Sequence, residues 1–418
     1  MDSIQVQGGV ALRGEVTVQG SKNAVLPILA ATLLADEATF LKGCPRITDV
    51  YKMTSLLNCL GKQTCWEKDG LRILPGACSI QGLPSEAITQ MRSSICLLGS
   101  LIGVRGEVTL EYPGGCVIGK RPINLHIDAL RRMGVVFEEQ DRYLHARAGN
   151  LHGADITLPF ASVGATENVI LTAVQAEGDT TLRGAAAEPE VQALCRYLNA
   201  CGAQIEGIGS HHLIIRGGRR LGGTDFVVPA DRIVAGTYLF CGVATGGEIF
   251  LRDAPVKEMD AVLRLAERMG AQCTGAQDGL YVQGPRRCIA PSHIVTGVYP
   301  EFPTDLQSVA LATLTRGEGT CIVEERIFEN RFRIVEPLKK MGADIVCVPE
   351  KQIAVVKGVD RLVGTSVEVK ELRGGAALLL AALMAEGMTC VSGCTYIYRG
   401  YENICRDLRA LGARIVSV

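Results

Sequence analysis

The sequence predicts an α/β protein with two domains, built from six copies of one structural unit. A chain of 418 residues is too long for one compact core, so two domains are the first expectation. A motif in which glycine follows an apolar helix-like segment occurs six times, and the intervals between its glycines are 73, 68, 68, 72 and 70 residues. Because each interval contains both helix-like and strand-like patterns, we expect globular α/β units and not a solenoid.

The order of elements inside a unit is clearest around residues 247–283. A glycine–acidic turn leads into the strand-like segment Gly247–Leu251. Apolar residues then recur at 3,4 spacing through Ala261–Met269, which predicts a helix, and Gly270 is typical of a helix C-terminus. The segment Leu280–Val282 follows as a strand. The six glycines that end helices in this way are Gly61, Gly134, Gly202, Gly270, Gly342 and Gly412.

Two segments predict helices that are buried on all sides. Ala24–Ala35 and Gly375–Ala385 are apolar on nearly every face, and such helices need other elements packed around them. Three units per domain is the simplest division of the chain. Turn-forming residues predict a linker near Val228–Asp231 and a second crossing between the domains near Gly20–Lys22.

Composition restricts the class of protein. Lys and Arg number 43 against 44 Asp and Glu, so no net charge would attract nucleic acid or an anionic membrane surface. The longest apolar stretches are shorter than a membrane span, and the N-terminal residues lack the pattern of a secretion signal. The sixteen cysteines are scattered singly, without Cys-x-x-Cys pairs or His/Cys clusters, which indicates free thiols, no metal site and a cytoplasmic location.

Two polar segments in the first third of the chain are candidates for ligand binding. Gly20–Asn23 places a lysine and an amide before an apolar helix, which suits an anion, although a solvated helix cap is the simpler interpretation. Pro113–Pro122 is a loop with three glycines and two prolines, and it holds Cys116 close to Lys120 and Arg121. Nearby cations favour the thiolate, so this cysteine is a candidate for catalysis.

Further polar segments lie in the second half of the chain. In Tyr299–Asp305 the residue Asp305 follows two prolines, and a carboxylate in so stiff a setting suits a general base, with a plain helix N-cap as the alternative. Each of the segments Phe328–Phe332, Glu371–Arg373 and Arg399–Tyr401 contains an arginine. Such arginines can bind phosphate or carboxylate through paired hydrogen bonds, and solvated arginines on helix faces are the alternative.

Together these segments resemble the UDP-N-acetylglucosamine 1-carboxyvinyltransferases, a group within the enolpyruvyl transferase family. The similarity extends from the first strand to Leu411–Ala413. The Cys116 loop is specific to this group, because the related 5-enolpyruvylshikimate 3-phosphate synthases share the fold without it. The motifs that carry the resemblance are Lys22-Asn23, the loop at 113–122, Ser162–Thr166, Glu188–Glu190, Phe302–Asp305 and Phe328–Phe332.

The resemblance implies a fold and a division into domains. Members of the family have two domains, each an inside-out α/β barrel of three βαβαββ units, and this agrees with the six-fold repeat in the sequence. The implied N-terminal domain spans residues 22–229 and carries the Cys116 loop. The implied C-terminal domain comprises residues 1–21 and 230–418. The active site is expected in the cleft between the two domains, with the loop as its lid.

The resemblance also implies a reaction, the transfer of the enolpyruvyl group of phosphoenolpyruvate to the 3-hydroxyl of UDP-N-acetylglucosamine, without metal or organic cofactor. Cys116 is the implied acid towards C3 of phosphoenolpyruvate. Asp305 is the implied base at the hydroxyl, or acts in the later collapse of the tetrahedral intermediate. Lys22, Arg121 and Arg399 would hold the phosphate and carboxylate groups. The implied sugar, nucleotide and cleft residues are Asn23, Arg92, Pro122, Ile123, Asn124, Leu125, Ser162, Val163, Ile327, Arg331 and Arg373.

Five positions depart from the pattern of the group, one of them Tyr396, where histidine is usual. Asn124 and Glu371 stand where aspartate is usual, Ala187 where arginine is usual, and Tyr398 where aspartate is usual. An amide at 124 keeps one acceptor but loses the charge, so the acceptor substrate is the least certain part of the interpretation. Two alternatives remain: transfer to another nucleotide or nucleotide sugar, and a catalytically weak paralogue with a regulatory role. The epoxide fosfomycin, which alkylates the loop cysteine in this family, is an implied inhibitor.

Overall fold

The computed structural model describes residues 3–76, 92–111, 123–141 and 143–418. The predicted loop with Cys116, Arg121 and Pro122 lies outside these residues. Arg92 is described only through its backbone, which opens the 3₁₀ turn Arg92–Ile95.

The described residues form twelve α-helices and twenty-three strands. The helices are α1 Lys22–Ala31, α2 Thr48–Cys59, α3 Cys96–Arg105, α4 Asn124–Arg131, α5 Val163–Ala173, α6 Pro189–Ala200, α7 Arg232–Thr245, α8 Asp260–Arg268, α9 Gln307–Leu314, α10 Val335–Lys340, α11 Leu372–Met384 and α12 Ile404–Ala410. The strands are β1 Ser3–Gln7, β2 Arg13–Thr17, β3 Thr39–Lys42, β4 Gln63–Trp66, β5 Gly70–Leu74, β6 Glu107–Glu111, β7 Val135–Gln140, β8 Tyr143–Ala148, β9 Asp155–Thr157, β10 Asp179–Arg183, β11 Gln204–Glu206, β12 His212–Arg216, β13 Asp225–Val227, β14 Glu248–Arg252, β15 Gln272–Ala276, β16 Gly279–Gln283, β17 His293–Val295, β18 Thr320–Glu324, β19 Asp344–Val348, β20 Ile353–Lys357, β21 Ser366–Glu368, β22 Met388–Ser392 and β23 Arg414–Ser417.

The strands form six small sheets that share one pattern. In the sheet β11-β12-β10-β9, strand β9 runs parallel to β10, and β12 pairs antiparallel with both β10 and β11. Among the described residues the sheet β6-β8-β7 has three strands. The other sheets, which repeat the four-stranded pattern, are β13-β3-β5-β4, β15-β16-β14-β2, β17-β18-β20-β19 and β21-β22-β1-β23. Six sheets with two helices each confirm the predicted α/β class and the six-unit repeat.

The described residues divide into two compact units. The first comprises residues 20–229 and contains the sheet that β13 completes. The second comprises residues 3–19 and 230–418, and the N-terminal strands β1 and β2 pair with its strands β22, β23 and β14. Each unit encloses a continuous hydrophobic core.

The six glycines of the sequence motif end their helices as predicted. Their φ angles lie between +87° and +106°, a region that glycine enters without the steric cost of a Cβ. After α6, the Gly202 N–H donates to the carbonyl of Asn199 at 3.0 Å, and the Ala203 N–H donates to that of Leu198 at 3.0 Å. This paired arrangement satisfies two carbonyl groups at the helix end and turns the chain into the next strand.

The two segments predicted as buried helices are confirmed. Every residue of α1 except Asn23 is buried, and so is every residue of α11 except Leu372. The α-helix of the first segment ends at Ala31, and a 3₁₀ turn, Thr32–Leu34, continues it. In the described ranges no helix is both long and apolar enough to cross a membrane.

A buried carboxylic acid lies where α3 packs against α5. The thiol of Cys96, the first residue of α3, donates to Oε2 of Glu167 on α5 at 3.2 Å. Burial raises the pKa of Glu167 to about 8; the bond from the thiol opposes this shift, and the charges of Glu190 and Glu188 on the neighbouring segment add to it. Glu167 is therefore largely protonated at neutral pH.

We expect Glu167 to make the stability of the protein depend on pH. The carboxyl has its ordinary pKa of 4.5 when unfolded and about 8 when folded, so the folded state binds more protons between these values. The free energy of unfolding should therefore fall as pH rises from about 4.5 to about 8, and Glu167→Gln should remove about 3–4 kcal/mol of that fall. Urea denaturation at pH 5 to 8 measures it.

The exposed Glu177 of the same unit provides the matched control for this prediction. Glu177→Gln should give a stability curve parallel to that of the wild type over the whole pH range. If the Glu167→Gln curve is also parallel to the wild type, the buried acid does not titrate as described.

Candidate active site

Asp305 lies between two buried arginines. It sits in the 3₁₀ turn Thr304–Leu306 that leads into α9. Nη2 of Arg331 donates to its Oδ1 at 2.6 Å, and Nη2 of Arg373 donates to its Oδ2 at 2.8 Å. The arginine side chains are 2 % and 5 % exposed, whereas that of Asp305 is 24 % exposed. The carboxylate is thus fixed from behind by two cations and remains accessible to a ligand.

The simpler alternatives for these residues are wrong. Asp305 is not the N-cap of α9, because that position is held by Leu306 without a side-chain hydrogen bond. Arg331 and Arg373 are not solvated side chains on helix faces, since both are buried in ion pairs.

A hydrogen-bond network fixes Arg331. Its Nε donates to Oγ1 of Thr304 at 3.2 Å, and that hydroxyl donates to the carboxylate of Glu325 at 3.0 Å. Glu325 is 1 % exposed and also accepts from the backbone N–H groups of Ile327 and Phe328 at 2.8 and 3.1 Å. The Arg331 guanidinium lies 5.1 Å from the centre of the Phe328 ring. The network therefore brings the predicted residue Ile327 next to the Asp305 cluster.

Glu371 links the cluster to the start of α11. As the N-cap of this helix, it accepts from the N–H groups of Arg373, at 2.8 Å, and Gly374. Its Oε2 also lies 3.8 Å from Nη1 of Arg331. The glutamate that stands in place of the usual aspartate thus caps the helix and faces an arginine of the site.

Arg373 is surrounded by groups that favour its charge. Burial is the largest single effect and acts to lower the pKa of its guanidinium, but Asp305, Tyr401 and Asp231 together outweigh it, so the pKa is raised above its ordinary value. The buried Tyr401 lies beside it, and the hydroxyl of Tyr401 bonds that of Thr237 at 2.8 Å. Burial raises the pKa of Tyr401 to about 12, so this hydroxyl keeps its proton at neutral pH.

Arg399 lies two residues before Tyr401, at the end of the 3₁₀ turn Cys394–Arg399, and its side chain is half-buried. Gln19 holds the chain just after this turn. Its Nε2 donates to the carbonyl of Gly400 at 3.1 Å, and its Oε1 accepts from the N–H of Glu402 at 2.8 Å.

Lys22 occupies the first position of α1 in the 20–229 unit. Oγ of Ser21 caps this helix by accepting from the N–H of Ala24 at 3.3 Å. Nζ of Lys22 pairs with Oδ2 of Asp49, in the first turn of α2, at 2.7 Å, and the Asp49 side chain is 1 % exposed. A lysine at a helix start is electrostatically unfavourable, and the buried carboxylate offsets this cost. The next residue, Asn23, is half-buried.

Five of the predicted nucleotide-sugar residues lie at the starts of two helices, whereas Ile327 lies beside the Asp305 cluster. Ile123 is buried, Asn124 is exposed and Leu125 is half-buried at the start of α4. At the start of α5, Ser162 is the N-cap and accepts from the N–H of Ala165 at 3.4 Å, and Val163 is half-buried. The two helices are in contact through His126 and Asn168.

Sequence reasoning missed three partners of these side chains. Thr304 was visible only as the neighbour of Asp305, and neither Asp49 nor Glu325 belongs to a motif that points to a site. Each is recognised only because folding brings it to a buried cation or hydroxyl. The described ranges contain no group of three or more His, Cys, Asp or Glu residues that could hold a metal ion.

Comparison with known proteins shows the family to which the chain belongs. Residues 6–408 match the family described as EPSP synthase (3-phosphoshikimate 1-carboxyvinyltransferase). A UDP-N-acetylglucosamine 1-carboxyvinyltransferase 2 of Caldanaerobacter subterraneus subsp. tengcongensis is 40 % identical over 420 residues, covering 100 % of both chains. A UDP-N-acetylglucosamine 1-carboxyvinyltransferase of Nitratidesulfovibrio vulgaris is 42 % identical over 416 residues, covering 99 % of both.

Solved structures show the same fold at lower identity. The enolpyruvyl transferase NikO from Streptomyces tendae superposes with a TM-score of 0.89 at 22 % identity, over 99 % of this chain and 98 % of that one. EPSP synthase from Acinetobacter baumannii gives a TM-score of 0.76 at 18 % identity, over 100 % and 99 %. With relatives of about 40 % identity along its whole length, the chain belongs to the EPSP synthase family of enolpyruvyl transferases.

Proposed function

We propose that this protein transfers the enolpyruvyl group of phosphoenolpyruvate to the 3-hydroxyl of UDP-N-acetylglucosamine and releases phosphate. The observation that carries the proposal is the Asp305 carboxylate, held by Arg331 and Arg373 and still open to a ligand. Relatives of about 40 % identity that bear the name of this activity support it. The reaction is the first committed step of peptidoglycan precursor synthesis, which makes the cytoplasm the expected location.

The chemistry explains why these residue types are needed. C2 of an enol ether is a poor electrophile until C3 is protonated, so one group must donate a proton to C3 while another accepts the proton of the sugar hydroxyl. We assign the first role to Cys116 and the second to Asp305, which also serves when the tetrahedral intermediate collapses. The paired arginines hold both oxygens of this carboxylate in place.

Cations must also hold the two anionic groups of phosphoenolpyruvate as charge shifts towards the leaving phosphate. We assign this role to Lys22, Arg121 and Arg399, with Arg331 and Arg373 as further candidates. In the 20–229 unit, Lys22 is directed by Asp49 and lies at the start of α1, where backbone N–H groups favour anions.

Recognition of the nucleotide sugar is assigned to the residues that the family resemblance names. Asn23 is proposed to contact the sugar hydroxyl, and Ile327 to line the same ligand in the 230–418 unit. Division into domains 22–229 and 1–21 with 230–418 is part of the same proposal. The residues proposed for the nucleotide part are Arg92, Pro122, Ile123, Asn124, Leu125, Ser162 and Val163.

Phosphate release tests the proposal directly. Purified protein incubated with phosphoenolpyruvate and UDP-N-acetylglucosamine should release phosphate and form the enolpyruvyl nucleotide sugar, detectable by mass spectrometry. UDP-glucose and shikimate 3-phosphate serve as alternative acceptors. Phosphate release only with one of these alternative acceptors would overturn the assignment. The absence of release with any of the three acceptors would overturn it too.

Replacing Asp305 tests its role as proton acceptor. Asp305→Asn keeps the size of the side chain but removes the basic oxygen, so kcat should fall by about 100-fold or more. Asp344→Asn, at an exposed position in the same unit, is the control and should leave kcat unchanged. A thermal melt shows whether the variants are folded. A folded Asp305→Asn variant with wild-type kcat would remove this carboxylate from the chemistry.

Fosfomycin tests the placement of the reactive thiol. We expect the epoxide to inactivate the enzyme, with one adduct on the peptide that contains Cys116. The exposed thiols of Cys59 and Cys65 are internal controls and should stay unmodified, since neither lies in the glycine-rich loop. Cys116→Ser should resist modification. Full activity after treatment, or labelling elsewhere, contradicts the assignment.

A further inference from the structure

The helices α3 and α5 approach each other closely at Gly99. A Cβ at this glycine would lie 2.6 Å from the backbone oxygen of Asn168, so a larger residue could not occupy the position without moving α5. Oγ1 of Thr172, one turn further along α5, donates to the carbonyl of Gly99 at 3.2 Å. Asn168 and Thr172 are both 0 % exposed. The contact is therefore buried and partly polar.

Asn168 connects three segments through its side-chain amide. Its Oδ1 accepts from the N–H of Gly99 on α3 at 2.7 Å. Its Nδ2 faces Nδ1 of His126 on α4 at 2.8 Å and donates to the carbonyl of Gly164, in the first turn of α5, at 3.3 Å. Both amide hydrogens and the carbonyl oxygen thus have partners on separate segments.

The orientation of this amide fixes the tautomer of His126. A backbone N–H can only donate, so the oxygen of Asn168 must face Gly99 and its nitrogen must face His126. Nδ1 of His126 then has to accept, and the proton of the neutral ring resides on Nε2. The ring is 5 % exposed, and a Cβ at Gly164 would come within 3.0 Å of its Cε1. His126 is therefore packed directly against the first turn of α5.

The three segments joined by Asn168 also carry proposed nucleotide-sugar residues. Gly99 lies in the first turn of α3, which follows the turn that begins at Arg92. His126 is the third residue of α4, next to Leu125. Gly164, whose carbonyl accepts from Asn168, directly follows Val163 in the chain.

We propose that Asn168 is a positioning residue that sets the starts of α4 and α5 against each other for binding of the nucleotide sugar. The inference rests on the proposed function, since it concerns affinity for that substrate. Asn168 itself is buried beneath these turns and acts through Gly164 and His126. It should influence binding of the sugar nucleotide without taking part in the chemistry of phosphoenolpyruvate.

Steady-state kinetics of phosphate release test the proposal with a nearly isosteric variant. Asn168→Leu removes the hydrogen bonds of the side-chain amide to Gly99, Gly164 and His126, so KM for UDP-N-acetylglucosamine should rise by about tenfold or more. KM for phosphoenolpyruvate and kcat should stay within about twofold. Thr172→Val is the matched control: it removes a buried hydrogen bond at the same helix contact, one turn further from the helix starts, and should leave both KM values unchanged.

A second variant applies even if Asn168→Leu does not fold. Asn168→Asp keeps the acceptor for Gly99 but cannot donate to His126, so Nδ1 of His126 should become protonated. Nitrogen NMR should then show an Nδ1–H signal that the wild type lacks, together with a raised KM for the nucleotide sugar.

The outcomes separate this inference from the function on which it rests. An active wild type with unchanged KM in Asn168→Leu, or in Asn168→Asp, overturns the positioning role and leaves the proposed function standing. If Asn168→Leu and Thr172→Val raise KM for UDP-N-acetylglucosamine equally, Asn168 is a general stabilising residue and not a positioning residue. A wild type that releases no phosphate with UDP-N-acetylglucosamine overturns both.

Discussion

The structure depends on burying one helix of each of the six repeats on nearly all of its faces. The six helices concerned are α1, α3, α5, α7, α9 and α11, and most of their residues are buried. The second helix of each unit keeps an exposed face. The free N–H groups at the start of a largely buried helix have little access to water, so they need acceptors from the protein or from a ligand. Side chains supply these acceptors at four of the six starts, through Ser21, Ser162, Asp231 and Glu371.

The same helix starts carry several of the candidate site residues. Lys22 follows the cap Ser21, Val163 follows Ser162, and Arg373 lies two residues after the cap Glu371. Cations at these places are opposed by the helix dipole and by burial, which explains why Lys22 and Arg373 are paired with carboxylates. Each ion pair keeps a lysine or arginine side chain close to backbone N–H groups that also favour anions.

The sequence predicted those features that depend on local residue patterns. Glycine after an apolar helix predicts the end of that helix. The six chain reversals and the six repeats could therefore be located from Gly61 to Gly412. Asp305 and its arginines came from motifs that resemble a family, and the structure joins Asp305, Arg331 and Arg373 in one cluster. Thr304 and Glu325 could not be foreseen, because their roles arise from contacts between elements distant in the chain. The same holds for Asn168, which looks like an ordinary helix residue until α3 and α4 pack against it.

The difference between local residue patterns and contacts between distant elements also explains how the site can tolerate departures from the family pattern. Glu371 is one methylene longer than the usual aspartate, yet its oxygens reach the N–H groups at the start of α11 and one lies near Arg331. The constraint there is on the oxygen positions, and the longer side chain meets it. Asn124 is exposed, whereas His126, two residues further along α4, is buried against α5. A change at position 124 can therefore leave the core undisturbed, whereas a change at 126 would disturb the packing of α4 against α5.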